Sequence, residues 1–138
     1  MNTKQKGDIS VANILASILE YDIPVCVPWG DCQPYDLIVD MNGELLKIQC
    51  KTGRLSQECL RFPVHSITTK NGKPIHRSYK KCEVDFFMIY FPDNGKVYCI
   101  PHRQVGKDSV FLRLHKPKNN QQKKVKMAQD FEFNGTFK

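Results

Sequence analysis

Long apolar runs are missing from this sequence of 138 residues, in which no stretch approaches the roughly eighteen apolar residues of a membrane-spanning helix. No membrane partner is expected. The first residues, MNTKQKGD, lack the apolar centre of a signal peptide, so the expected location is cytoplasmic. Cys-x-x-Cys pairs are also missing. The six cysteines, at positions 26, 32, 50, 59, 82 and 99, are scattered through largely apolar surroundings, and the four histidines, 65, 76, 102 and 115, supply no local zinc spacing. Buried free thiols are the expectation. Acidic residues are scarce beside basic ones, 14 Asp and Glu against 21 Lys and Arg, and the resulting charge of +7 favours an anionic partner, nucleic acid first. Such an excess is equally compatible with solubility alone. No internal repeat is present, and the length suits one compact domain.

Read in order, the chain opens with a helical pattern over about residues 7–21, with apolar residues at 11, 14, 15, 18 and 19 on one face. Asp8 stands one turn before Val11, where it either caps the helix or serves as a ligand. Residues 23–28 form a short β-like run with prolines near both ends, suited to a sheet edge. Two strands follow, 35–40 and 44–51, joined by Asn42-Gly43, the dipeptide of tight hairpins. In the second, a period of two places Leu46, Ile48 and Cys50 on one face and Lys47, Gln49 and Lys51 on the other. Residues 52–54 break the strand, and another is expected at 59–64.

Residues 68–81, TTKNGKPIHRSYKK, read as a long basic loop suited to phosphate contacts. The most apolar run, VDFFMIYF at 84–91, reads as a buried strand, turned by Pro92-Asp93-Asn94-Gly95 into a second hairpin strand at 96–100. A connector with a helical turn (101–108), a strand (109–114) and a second basic segment (116–126) precede a docked end carrying three phenylalanines.

The chemistry lies in the first hairpin. Phosphodiester hydrolysis needs an activated water, charge neutralisation at the phosphoryl oxygens and help for the leaving oxygen, all of which a hard divalent cation on oxygen ligands provides. Asp36 offers a carboxylate, Gln49 an amide carbonyl and Cys50 its backbone carbonyl, while Lys51 shares the face of Gln49 and can position or activate water. The same residues also fit a turn acid, a solvated glutamine and an exposed lysine, since so short a motif matches by chance.

A longer set of segments resembles a known family. Lys6-Gly7-Asp8-Ile9, Pro28-x-Gly30-Asp31, Tyr35-Asp36-Leu37-Ile38-Val39-Asp40 and Ile48-Gln49-Cys50-Lys51-Thr52-Gly53-Arg54 are similar to the PD-(D/E)XK endonucleases associated with bacterial group I introns. Tyr79-Lys80, Asp85-Phe86-Phe87, Pro92-Asp93-Asn94-Gly95-Lys96-Val97-Tyr98 and Pro117-Lys118-Asn119-Asn120-Gln121 extend the likeness over nearly the whole chain. The resemblance implies an α/β (α+β) restriction-endonuclease-like core. A mixed central sheet would be flanked by helices, with the N-terminal helix followed by the hairpin that carries the active site. It also implies Mg2+-dependent cleavage, with Mn2+ as a substitute, of double-stranded DNA. By position, Asp36 is the central metal acid, Gln49 replaces the commoner acid, and Lys51 is the motif lysine. Many relatives place a glutamate where Val11 stands, so Asp8 either takes over or the site is one carboxylate short.

Two function classes follow. The first is a homing-type endonuclease, acting as a dimer or tetramer because one active site cuts one strand. Its DNA face is expected from Arg54, Arg61, Lys73, His76, Arg77, Lys80 and Lys81. The second is a DNA-binding protein on the same scaffold that has lost catalysis; a small RNA-binding domain is supported by charge alone.

Overall fold

The helix starts earlier than its apolar pattern. In the computed structural model, which describes residues 1–117 and 125–138 apart from the side chain of Thr68, α1 spans Thr3–Leu19. Asn2 caps it: its side chain accepts from the Gln5 amide at 2.9 Å while the Gln5 side chain accepts from the Asn2 amide at 2.9 Å, a reciprocal capping box. The first two turns carry no apolar period, which hid this start from a reading based on hydrophobic spacing. Asp8 therefore lies inside the helix, exposed, and the expectation that it caps the helix is corrected.

Ser10, Ile14 and Ile18 form the buried stripe of α1. Burying an isoleucine contributes about 1.5–3 kcal/mol, enough for this pair to dock a helix that would be marginal alone. The stripe meets one face of a five-stranded sheet. Its strands are β1 (Val25–Cys26), β2 (Leu37–Met41), β3 (Glu44–Thr52), β8 (Phe86–Phe91) and β9 (Lys96–Pro101), in the order β1-β2-β3-β8-β9. All neighbours are antiparallel except β3 and β8, so the sheet is mixed. Pro24 and Pro28 confine β1 to two residues at the sheet edge. Asn42 and Gly43, at φ 56° and 93°, turn β2 into β3, and the Gly43 amide donates to Asp40 at 2.7 Å.

Strand β8 is buried on both faces. Phe86 and Met88 join Ile14, Ile18, Leu37, Val39 and Ile48 on the α1 side; Phe87, Ile89 and Phe91 point to the other. There they meet Leu60, Phe62, Val110 and Leu112 of a second, antiparallel sheet, ordered β10-β5-β4. Its strands are β4 (Arg54–Ser56), β5 (Cys59–Pro63) and β10 (Ser109–Arg113). Gly53 makes the hinge between the sheets, where a Cβ would meet Leu60 at 3.2 Å and Ile89 at 3.1 Å. A 3-10 turn at His102–Gln104 fills the connector, and Phe133 and Phe137 of the terminal stretch dock on the α1-side core.

The expectation of a basic loop over residues 68–81 is corrected. Strands β6 (His65–Lys70) and β7 (Lys73–Ser78) pair antiparallel as a ribbon around Asn71-Gly72, both at positive φ. Its charged and polar side chains hid the alternation, although the Asn-Gly dipeptide is the one recognised at 42–43. Of the second basic segment, residues 118–124 lie outside the described residues. The six cysteines are free, but Cys26, Cys32 and Cys82 are exposed, so burial holds for Cys50 and Cys59 and in part for Cys99. No helix among the described residues is long and apolar enough to cross a membrane.

Candidate active site

Asp36 immediately precedes β2. Because Leu37 pairs with Ile48 and both point toward α1, Asp36 falls opposite Gln49 on the other face, which it shares with Lys51. Its backbone amide donates to the Ile48 carbonyl at 2.8 Å, and its Oδ2 accepts from the Cys50 amide at 2.8 Å. Burial raises the Asp36 pKa, opposed by the Cys50 amide and by the charge of Lys51. Burial also depresses Lys51, to about 8, with Asp36 pulling the other way. The Lys51 Nζ donates to the Tyr79 hydroxyl at 3.1 Å and to the His65 carbonyl at 3.4 Å, and lies 4.9 Å from the Tyr79 ring centre. Tyr79 is pushed up to about 12, first by burial and then by the negative field of Asp36. An acid, a lysine and a phenol, each half-buried, thus act on one another electrostatically.

Gln49 reaches its neighbour's backbone: its Nε2 stands 3.4 Å from the Cys50 carbonyl, a weak hydrogen bond that a cation could replace. The Cys50 thiol is buried with a strongly raised pKa, leaving only its carbonyl as a candidate ligand. Asp36, Gln49 and Cys50 therefore present a carboxylate oxygen, an amide oxygen and a peptide oxygen from adjacent strands. All are hard donors. One carboxylate plus neutral oxygens, completed by water and phosphate, fits a Mg2+-type site. It does not fit a self-contained cage, and no cluster of three His, Cys, Asp or Glu occurs among the described residues.

The first helix carries Asp8 and Val11 one turn apart. Val11 is half-buried and packs on the α1-side apolar core. Asp8 is exposed. Between α1 and the ends of β3 and β8 opens a cleft of about 870 Å³, lined by Lys6, Ile9, Ser10, Lys51, Gly53 and Arg54 among others. The Ser10 and Thr52 hydroxyls, 2.5 Å apart, tie the helix to the end of β3 beside this opening.

The expected DNA-facing residues divide into groups. Lys73, His76 and Arg77 stand on β7, all exposed; Lys73 and Arg77 share a face, while His76 turns to the other and packs against His65 at 4.8 Å. Arg77 pairs with Glu83 at 2.6 Å. Lys80 and Lys81 are exposed in the turn beyond the ribbon. Arg54 and Arg61 are cross-strand partners in the second sheet, away from the ribbon strands. Arg61 lies 5.7 Å from the ring of the half-exposed Phe111, and its buried Nε has no hydrogen-bond partner among the described residues. Sequence reading missed Tyr79 and His65 as neighbours of Lys51. No spacing links them to the hairpin, and only the Tyr79-Lys80 segment of the family likeness touched the position.

Comparison with known proteins bears on the fold and the family. No curated protein matches the sequence. The fold is similar to the solved structure of a bacterial homing endonuclease, I-Ssp6803I, with a TM-score of 0.79 and 23% identity over 96% of this chain and 89% of that one. The profile of the PD-(D/E)XK endonucleases matches residues 1–134, and with Asp36, Gln49 and Lys51 on one face of the hairpin, the chain belongs to that family of nucleases.

Proposed function

We propose that the chain is a site-specific, homing-type endonuclease that hydrolyses phosphodiester bonds in double-stranded DNA with Mg2+, for which Mn2+ substitutes. The observation that carries this reading is the half-buried Lys51 on the same strand face as Asp36, whose carboxylate is fixed by the Cys50 amide. Asp36, Gln49 and the Cys50 carbonyl would hold the cation. When bound, it supplies charge neutralisation at the phosphoryl oxygens and an acidified water. Lys51, with a pKa near 8, is poised to hold the attacking water and to exchange a proton close to neutral pH. The low dielectric around it strengthens its charge toward a phosphate.

A two-stranded ribbon fits the major groove of B-DNA. The exposed ribbon β6–β7, with Lys73, His76 and Arg77, is the reading element of this proposal, and Lys80 and Lys81 set its register on phosphates. Arg54, which lines the cleft, and its cross-strand partner Arg61 contact the DNA backbone in this proposal. Cutting both strands requires two copies of the site, hence a dimer or tetramer.

A second reading, a DNA-binding protein with impaired catalysis, is favoured by Val11, which packs on the α1-side core at the position where the family resemblance places a glutamate. Incubation with supercoiled plasmid and Mg2+ or Mn2+ separates the two, alongside Val11→Glu. Cleavage by the unmodified chain that disappears in Lys51→Ala supports the nuclease. Cleavage by Val11→Glu alone supports the impaired binder. Val11→Glu is expected to cost about 1–3 kcal/mol of stability, since it replaces core contacts.

A further inference from the structure

Both polar partners of Lys51 among the described residues come from outside its sheet. The His65 carbonyl belongs to the first residue of β6, and the Tyr79 hydroxyl to the residue that follows β7. His65 pairs with Ser78 across the ribbon, so these two groups are its feet. Tyr79 also lays its ring against the ammonium, 4.9 Å from Nζ to ring centre. The tyrosine is itself anchored. Its ring packs edge-on against the fully buried Phe87 at 5.6 Å, and its carbonyl lies 2.8 Å from Nε2 of His102. Beyond the feet, every residue of β7 is exposed.

We propose that Tyr79 is a positioning residue for Lys51, and that through it engagement of the ribbon by DNA sets the orientation of the lysine. A ribbon held by its own ladder moves as a unit, so a duplex seated on β7 carries His65 with the ladder and pulls on Tyr79, whose ring and carbonyl stay held by Phe87 and His102. Lys51 follows them. Target engagement and readiness for catalysis are thereby coupled at one hydrogen bond and one ring face. The catalytic part rests on the nuclease reading; the mechanical part stands on the contacts alone.

The test uses the full chain with 13Cε-labelled lysine, the Lys51 signal being assigned by its loss in Lys51→Arg. The chain is compared with Tyr79→Phe and Tyr79→Leu, with and without a mixed-sequence duplex of about 30 base pairs. The ring should shift the Lys51 ε-protons upfield in the wild type. That shift should persist in Tyr79→Phe, vanish in Tyr79→Leu, and change when the duplex is added to the wild type. In plasmid cleavage, Tyr79→Phe should lower the single-turnover rate about tenfold with DNA affinity unchanged, because only the hydrogen bond to the lysine is removed. A Lys51 signal that is the same in Tyr79→Leu as in the wild type, or that saturating duplex leaves unmoved, overturns the proposal. A wild-type chain that never cleaves but whose Lys51 signal responds to both overturns the nuclease reading and upholds the coupling.

Discussion

The Cys50 amide donates to Oδ2 of Asp36 at 2.8 Å, so the carboxylate before β2 is pinned to the backbone of β3. This bond fixes the acid beside Gln49 and Lys51. It also makes two substitutions at Asp36 behave differently.

Asp36→Asn keeps an acceptor for the Cys50 amide, whereas Asp36→Ala orphans it at a cost of about 1–3 kcal/mol. Both should abolish cleavage, but in urea denaturation only the alanine variant should lose stability. Because the Asp36 pKa is raised in the folded state, its stabilising share is present at acid pH and is lost as pH rises through its folded value. Stability of the asparagine variant should lack that fall.

Lys51→Met should make the protein more stable and inactive together. Folding lowers the lysine pKa from 10.5 to about 8, so below pH 8 the folded state carries a poorly solvated charge. Between about 8 and 10.5 the unfolded chain binds more protons, and stability should rise with pH across that window. In Lys51→Met the rise should be absent. At pH 7 the variant should gain about 1–2 kcal/mol, the relieved desolvation less the lost hydrogen bonds. Denaturation midpoints across pH check both.

Ribbon cations should act on affinity and leave stability alone. Lys73→Ala and Arg77→Ala remove exposed charges, and each should reduce the slope of log affinity against log salt by about 0.9 if it meets a phosphate. The Arg77 to Glu83 pair is half exposed on the arginine side and adds little to folding. Stability should stay within about 0.5 kcal/mol for both. Fluorescence anisotropy with a labelled duplex over a salt series measures the slopes.

Much of the fold was legible because its patterns are local. The period of two in Leu46, Ile48 and Cys50 gave the buried face of β3, and Asn42-Gly43 gave its turn. The apolar run at 84–91 gave the central strand, although not that it pairs parallel with β3, since no residue spacing encodes a long-range partner. The ribbon resembles a loop in sequence because its exposed strands carry charge in place of apolar alternation, and the true start of α1 lies ahead of its apolar pattern because its cap is polar. Within the site, the hairpin supplied Asp36, Gln49 and Lys51. Tyr79 and His65 arrive only through the packing of the ribbon's feet, a tertiary fact that the sequence does not mark.

In the proposed nuclease, the oxygens of Asp36, Gln49 and Cys50 take a hard divalent cation. A Mn2+ titration followed by paramagnetic broadening of the Cys50 backbone amide and Gln49 side-chain amide signals, in the wild type and in Asp36→Asn, tests it most directly. These signals should broaden first in the wild type and be spared in the variant at the same Mn2+ concentration. Broadening centred elsewhere, or unchanged by Asp36→Asn, would contradict it.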